Sequence, residues 1–210
     1  MNSYVQTFKS FGFMALLIEI ANSVLARLKI TRIERLYKLE AMQLSDNRET
    51  SVIIKQLNFD ELEKLSTERV ITANIEDANR VKAGTAICFG AFRDDILVGI
   101  DWFALKSYHH GGGLYACFSD NWICEYGLWL HPDHRGLGLR RLFVSEGLNY
   151  AKCNGKLGLI VSVNWNNFPS IRSGEKVGYQ YLGLRYWNKR KPFKKRKEYW
   201  LTLPDSSIEI

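Results

Sequence analysis

Between Glu125 and Tyr179 the sequence holds residue types suited to two tasks, cradling an anion and moving a proton. The apolar run Trp122 to Leu130 reads as a strand ended by Pro132, and a turn then leads into an amphipathic stretch reaching Cys153. That turn and its continuation read His131-Pro-Asp-His-Arg-Gly-Leu-Gly-Leu-Arg-Arg141. N–H groups at a helix N-terminus have no partner within the helix and carry the positive end of its dipole. Gly136 and Gly138 bring no side chain to screen those donors, so a pyrophosphate could approach them closely. The segment has neither the Lys-Ser/Thr of a phosphate loop nor the early-strand setting of a dinucleotide turn. The alternative is a plain strand-to-helix turn.

Glu125 is the lone carboxylate of its apolar run. A carboxylate is costly to bury, and one placed in an apolar strand is suited to serve as a general base. The competing reading pairs it with a nearby Arg. Strict alternation puts Gly127 and Trp129 on its face and leaves room there for a substrate. His109 and His110 have no Cys or carboxylate at ligand-like spacing, so no metal is expected. His131 and His134 are expected to shape the turn or line the phosphate mouth, not to act as ligands.

A second motif follows the apolar run Leu157 to Val163: Asn164-Trp-Asn-Asn-Phe-Pro-Ser-Ile-Arg-Ser-Gly-Glu-Lys-Val-Gly-Tyr179. Together the two segments resemble the GNAT superfamily of acyl-CoA-dependent N-acyltransferases. The family's phosphate motif, Arg/Gln-x-x-Gly-x-Gly/Ala, is met by Arg135 and Gly138, with Arg140 in place of the final small residue. Its later signature is met by Asn167, Ser170, Glu175, Lys176, Gly178 and Tyr179. The resemblance covers about residues 85–203, is weaker over 51–84 and absent before that. It implies an α/β (α+β) fold with a mixed, mainly antiparallel sheet flanked by helices. It places the pantetheine of acetyl-CoA or another acyl-CoA along Leu128, Trp129 and Leu130. The pyrophosphate falls on the N–H groups of Arg135, Gly136, Leu137, Gly138, Leu139 and Arg140, and Asn167 on the CoA arm. Many family members carry, just before the Glu-Lys, a Tyr that protonates the departing thiolate. Gly174 stands there in this chain. Tyr126, Tyr179 and Tyr181 remain candidates for the acid, with solvent as the alternative.

The net charge of +7 is local. Eight basic residues and no acid lie between Arg185 and Lys197, and without them the chain is close to neutral. Tyr186, Trp187, Phe193 and Tyr199 are interleaved with that cluster. It could meet an acidic acyl carrier protein as donor, an anionic membrane, or solvent alone; nucleic acid is not favoured. The four cysteines show no Cys-x-x-Cys pair and read as free thiols of a cytoplasmic protein, mostly buried.

Phe8 to Leu28 reads as a helix in which Leu16, Leu17, Ile20, Val24 and Leu28 share a face and Gly12, Glu19 and Ser23 form a narrower polar stripe. Lys9, Arg27, Lys29 and Arg32 flank it. Three placements compete: lying in a membrane interface, packing on the domain or on a second copy in a homodimer, and crossing the bilayer. Ile33 to Gln43 is expected to continue as helix, so that residues 1–48 form a helical extension and 49–210 an acyltransferase domain. Within the latter, Val52 to Ile54 reads as the first strand, with helices at Phe59 to Leu65 and Ser66 to Val81. Thr85 to Phe92 and Ile96 to Leu105 form a hairpin, and His109 to Gly113 a loop. The helix from Gly138 to Cys153 is followed by a strand at Leu157 to Val163 and a helix at Pro169 to Val177. Tyr181 to Trp187 and Glu198 to Leu203 form a closing hairpin. These readings imply an N-acyltransferase acting on an amine of unspecified identity, or a catalytically degenerate CoA- or lipid-binding module peripheral to the inner face of a membrane.

Overall fold

Gly12 splits the N-terminal helical run into α1 (Ser3–Phe11) and α2 (Phe13–Arg27), because its φ of 87° lies where a right-handed helix cannot continue. The computed structural model describes residues 3–27, 31–41, 51–67, 75–111, 114–188 and 197–200. The two helices fold back on each other, with Tyr4 Oη 3.0 Å from Ser23 Oγ. None of the helices among the described residues is long and apolar enough to cross a membrane.

The next element corrects an expectation. Residues 31–40 are not helix but strand β1 (Thr31–Glu40). Glu, Arg, Leu and Lys are good helix formers, and local preference alone favours a helix here. Pairing overrides it, since β1 is bonded on both edges and buries Tyr37 and Leu39. Part of the segment expected as an extension therefore lies inside the sheet.

The chain continues through β2 (Ile53–Gln56), α3 (Phe59–Thr67) and α4 (Ile75–Lys82) to the hairpin of β3 (Ala86–Arg93) and β4 (Ile96–Ala104). Asp94 and Asp95, with φ of 50° and 64°, supply the two left-handed residues of its turn. Then come β5 (Tyr108–Gly111), β6 (Leu114–Cys117), β7 (Trp122–Glu125) and β8 (Trp129–Leu130). The second half holds α5 (Leu139–Cys153), β9 (Gly158–Asn164), α6 (Phe168–Val177), β10 (Gln180–Asn188) and β11 (Lys197–Trp200).

The main sheet runs β10–β1–β9–β7–β4–β3–β2, with β8 also on β4. Its pairs are antiparallel except β7 with β9. A smaller sheet, β11–β6–β5, brings part of the expected loop at 109–113 into a strand. It also overturns the closing hairpin: β11 runs parallel to β6, and the neighbour of β10 is β1.

One face of the main sheet packs on α5 and α6 around Phe103, Ile123, Phe143, Val144, Leu159 and Ile171. On the other, α3 and α4 cover Cys88, Ile100 and Trp102. Gly147 lets α5 sit close to the sheet, since a Cβ there would fall 2.7 Å from the ring of Phe103. Cys88, Cys117 and Cys124 are buried free thiols, and Cys153 is exposed.

Candidate active site

At the centre of the sheet two parallel strands part. β7 and β9 pair from Trp122↔Gly158 to Glu125↔Val161. Beyond Glu125 the chain bulges through residues 126–128, with Tyr126 N donating to Trp102 O at 3.0 Å, before β8 resumes pairing with β4 at Ile100↔Trp129 and Gly99↔Leu130. β9 meanwhile runs on to Asn164 against β1. Leu128, Trp129 and Leu130 therefore line a gap in the sheet, with no strand on their far edge among the described residues.

The bulge also changes which side chains meet. A Cβ on Gly127 would lie 2.8 Å from Trp102, in the cluster under α3 and α4, where Trp129 also packs. Leu128 and Leu130 pack instead into the cluster under α5, which holds Phe103, the residue opposite Glu125. The expectation that Gly127 and Trp129 share the face of Glu125 fails because an extra residue in a bulge breaks the two-residue period.

After β8, His131 Nδ1 accepts from Asp133 N at 3.4 Å and starts a single 3-10 turn, Pro132–His134. Gly136 and Gly138 follow with φ of 80° and 82°, conformations that Cβ-bearing residues rarely adopt. Gly138 is the N-cap of α5, and no side chain caps that terminus. Arg135, Gly136 and Leu137 are exposed and Gly138 is half-buried, so the turn leading into α5 is open to solvent. Arg135 itself donates from Nε to Leu130 O at 3.2 Å, tying the turn back to β8. Leu139 is buried in the core.

Arg140 turns inward and is 3% exposed. Its Nη2 donates to Glu125 Oε1 at 2.9 Å, and its Nη1 to Ser170 O on α6 at 2.7 Å. Glu125, 2% exposed, accepts a second hydrogen bond at Oε2 from Tyr179 Oη at 2.5 Å. Asp101 on β4, fully buried, accepts from Trp102 N through Oδ1, while Oδ2 has no hydrogen-bond partner among the described residues. Burial and then the charge of Glu125 hold the Asp101 carboxyl well above the usual carboxylate range, against the pull of Arg140 and the Trp102 N–H. Burial followed by Glu125 likewise lifts the Tyr179 phenol well above its ordinary value. Burial works against the charge of Arg140, but Glu125, Tyr179 and Asp101 outweigh it and raise its pKa. These shifts favour a neutral Asp101 beside the Glu125–Arg140 ion pair.

Of the other tyrosines, Tyr126 donates to Asp77 Oδ1 at 3.1 Å, and Tyr181 is 52% exposed against the ring of Tyr37. Tyr179 alone of the three bonds to Glu125. Asn167 is the N-cap of α6, its Oδ1 accepting from Ser170 N at 3.3 Å. Asp101 was missed in the sequence although it carries the signal that marked Glu125, a lone acid in an apolar strand. Most of the basic cluster, residues 189–196, lies outside the described residues.

The N-terminal helices dock beside α6. Arg172 Nη1 donates to Ser10 O at 2.9 Å, the rings of Phe11 and Phe168 lie 5.4 Å apart, and Trp165 Nε1 donates to Asn22 Oδ1 at 2.9 Å.

No protein-family model matches the chain, and no curated protein does. Among solved structures, a Drosophila protein superposes with a TM-score of 0.53 at 14% identity, over 82% of this chain and 57% of its own. An aminoglycoside N-acetyltransferase, AAC(6')-Iy, in complex with CoA, superposes with a TM-score of 0.51 at 17% identity, over 73% of this chain and 99% of its own. The chain thus spans less than two thirds of the Drosophila protein and nearly the whole length of the acetyltransferase. These likenesses show the fold alone, an α/β fold that the chain shares with that acetyltransferase.

Proposed function

We propose that the chain is an acyl-CoA-dependent N-acyltransferase, in the simplest case an N-acetyltransferase, that passes an acyl group directly to a primary amine. The observation that carries this reading is the parting of β8 from β9 beyond Glu125, beside the exposed glycine turn that leads into α5, whose N-terminus no side chain caps. In it, the backbone of Leu128, Trp129 and Leu130 pairs with the pantetheine amides. The N–H groups from Arg135 to Arg140 take the pyrophosphate, and Asn167 meets the arm. The amine nitrogen attacks the thioester carbonyl, the C–S bond breaks, and the CoA thiolate takes a proton from water. The proton lost by the amine goes to Glu125. An ionised carboxylate offers about four acceptor sites, and Arg140 and Tyr179 use two.

The reading extends to where the enzyme works. α1 and α2 leave Phe8, Phe13, Met14, Leu17, Ile20 and Val24 exposed, with Phe13, Leu17, Ile20 and Val24 at helical spacing, and large exposed apolar patches mark interaction sites. Exposed Lys9 lies beside Phe8, and Arg27, Lys29 and Arg32 follow in sequence. Apolar surface with basic surroundings matches an anionic bilayer, so peripheral attachment to the cytoplasmic face of a membrane is the placement proposed.

Calorimetric titration with acetyl-CoA, free CoA and an acylated carrier protein tests the donor. Saturable binding of acetyl-CoA and CoA supports the reading. Binding of the carrier protein alone replaces the donor, and binding of none removes it.

A further inference from the structure

The two departures from the family pattern, Arg140 and Gly174, lie against each other. Gly174 is buried on α6, and a Cβ built on it would sit 3.4 Å from Arg140 Nη1 and 3.6 Å from both Cζ and Nη2. The guanidinium therefore fills the space into which any larger side chain at 174 would grow. It arrives there from the first turn of α5, where the motif otherwise has a residue too small to reach. From that position its planar fork joins three elements at once: Glu125 on β7, the carbonyl of Ser170 on α6, and α5 itself.

We propose that Arg140 is a positioning residue for Glu125, occupying from α5 the volume that an aromatic side chain at 174 would fill from α6, so that residues 140 and 174 form a single exchangeable unit. This rests on the acyltransferase reading in giving Glu125 a catalytic task; the steric and electrostatic coupling does not depend on it. The fork geometry matters, because the guanidinium presents its donors in a fixed plane, whereas an ammonium is a point charge on a flexible stem. Neutralising the carboxylate matters as well, because a buried charge without a partner is strongly destabilising.

The test compares R140Q, R140K, G174Y and R140Q/G174Y with the wild-type chain. Three quantities are read: the unfolding midpoint across pH, the affinity for free CoA, and the infrared band of the Glu125 carboxyl, assigned by its loss in E125Q. At neutral pH, R140Q should lower the midpoint by about 10 °C. That deficit should shrink on acidification, as protonation removes the unpaired charge, and the protonated-carboxyl band should appear at a higher pH than in wild type. R140K should recover part of the loss. G174Y alone should destabilise, whereas in the R140Q background it should cost much less. Additive effects of the two substitutions, or an R140Q deficit independent of pH, overturn the proposal. Loss of the R140Q protein to misfolding leaves R140K and G174Y, and G174Y with an unchanged midpoint is then the contrary result. Failure of the wild-type chain to bind CoA, with the non-additivity intact, would sink the donor assignment and leave the coupling standing.

Discussion

Asp101 and Glu125 are two buried acids on one face of adjacent strands, and the one guanidinium in their cluster bonds to Glu125. Asp101 lies two residues before Phe103, the partner of Glu125, so both project towards α5. The consequence is a division of roles: Glu125 holds the ion pair with Arg140, while burial and the charge of Glu125 raise the Asp101 carboxyl and favour its neutral form.

That division predicts a pH dependence of stability. A carboxyl whose folded pKa is raised binds more protons in the folded state than in the unfolded one, so stability falls as pH rises above the unfolded value, about 3.9 for Asp. The loss continues until the raised folded value is passed. Asp101→Asn imitates the neutral acid and removes this term. Denaturant unfolding of both proteins across pH should show the variant gaining on wild type from about pH 4 upward. A difference that stays constant with pH contradicts the assignment.

Glu125→Gln keeps the shape of the side chain but leaves Arg140 buried without its counter-charge. The unfolding midpoint should fall, and turnover per folded molecule with acetyl-CoA and a working amine should drop by about 10²–10⁴-fold. Near-full activity of the folded variant across the pH range would remove Glu125 as the base.

At the phosphate turn, Gly138→Glu introduces a negative charge, and also a side chain at a φ of 82° that costs about 1–2 kcal/mol. Gly138→Asn separates the two effects, because Asn tolerates the left-handed region and is neutral. CoA affinity measured by calorimetry should fall at least about tenfold for the Glu variant, or about 1.4 kcal/mol, and much less for the Asn variant. Equal affinities in wild type and both variants place the pyrophosphate elsewhere.

The proposed membrane surface is tested by flotation of the full chain, because removing everything before residue 51 would take β1 out of the sheet. Wild type should float with anionic vesicles and less with neutral ones. Phe13→Asp/Leu17→Asp, which places two charges on the exposed apolar face, should stay in the soluble fraction. Wild type that never floats and sediments as a dimer, with the double variant a monomer, assigns the face to a second copy instead.

How much of this was legible in the sequence follows the range of each interaction. The β3–β4 hairpin, α5, α6 and the glycine turn were readable because their signals are local: a two-residue turn, a helical period, two glycines before a helix. β1 was not, because its residues favour helix and its partners lie far along the chain. The bulge after Glu125 was hidden for a related reason, since only pairing with β4 shows where the two-residue period slips. Arg140 stands out in the sequence as an odd residue in a phosphate motif. Its contact with Gly174 needed the helix spacing that only the fold supplies.

The place of β1 has a consequence for how the chain is made. Thr31 pairs with Asn188 and Glu34 with Asn164, so the strand leaves the ribosome long before either of its neighbours exists. The β2–β3–β4 part of the sheet can assemble early from nearby segments, whereas β1 must wait for β9 and β10 to be synthesised. Contacts of such long sequence separation slow the final step of folding and leave strand edges bare in the meantime. A nascent chain halted between β4 and β9 would therefore hold a finished hairpin beside an orphaned strand and an uncovered helical pair, and it would be a substrate for chaperones.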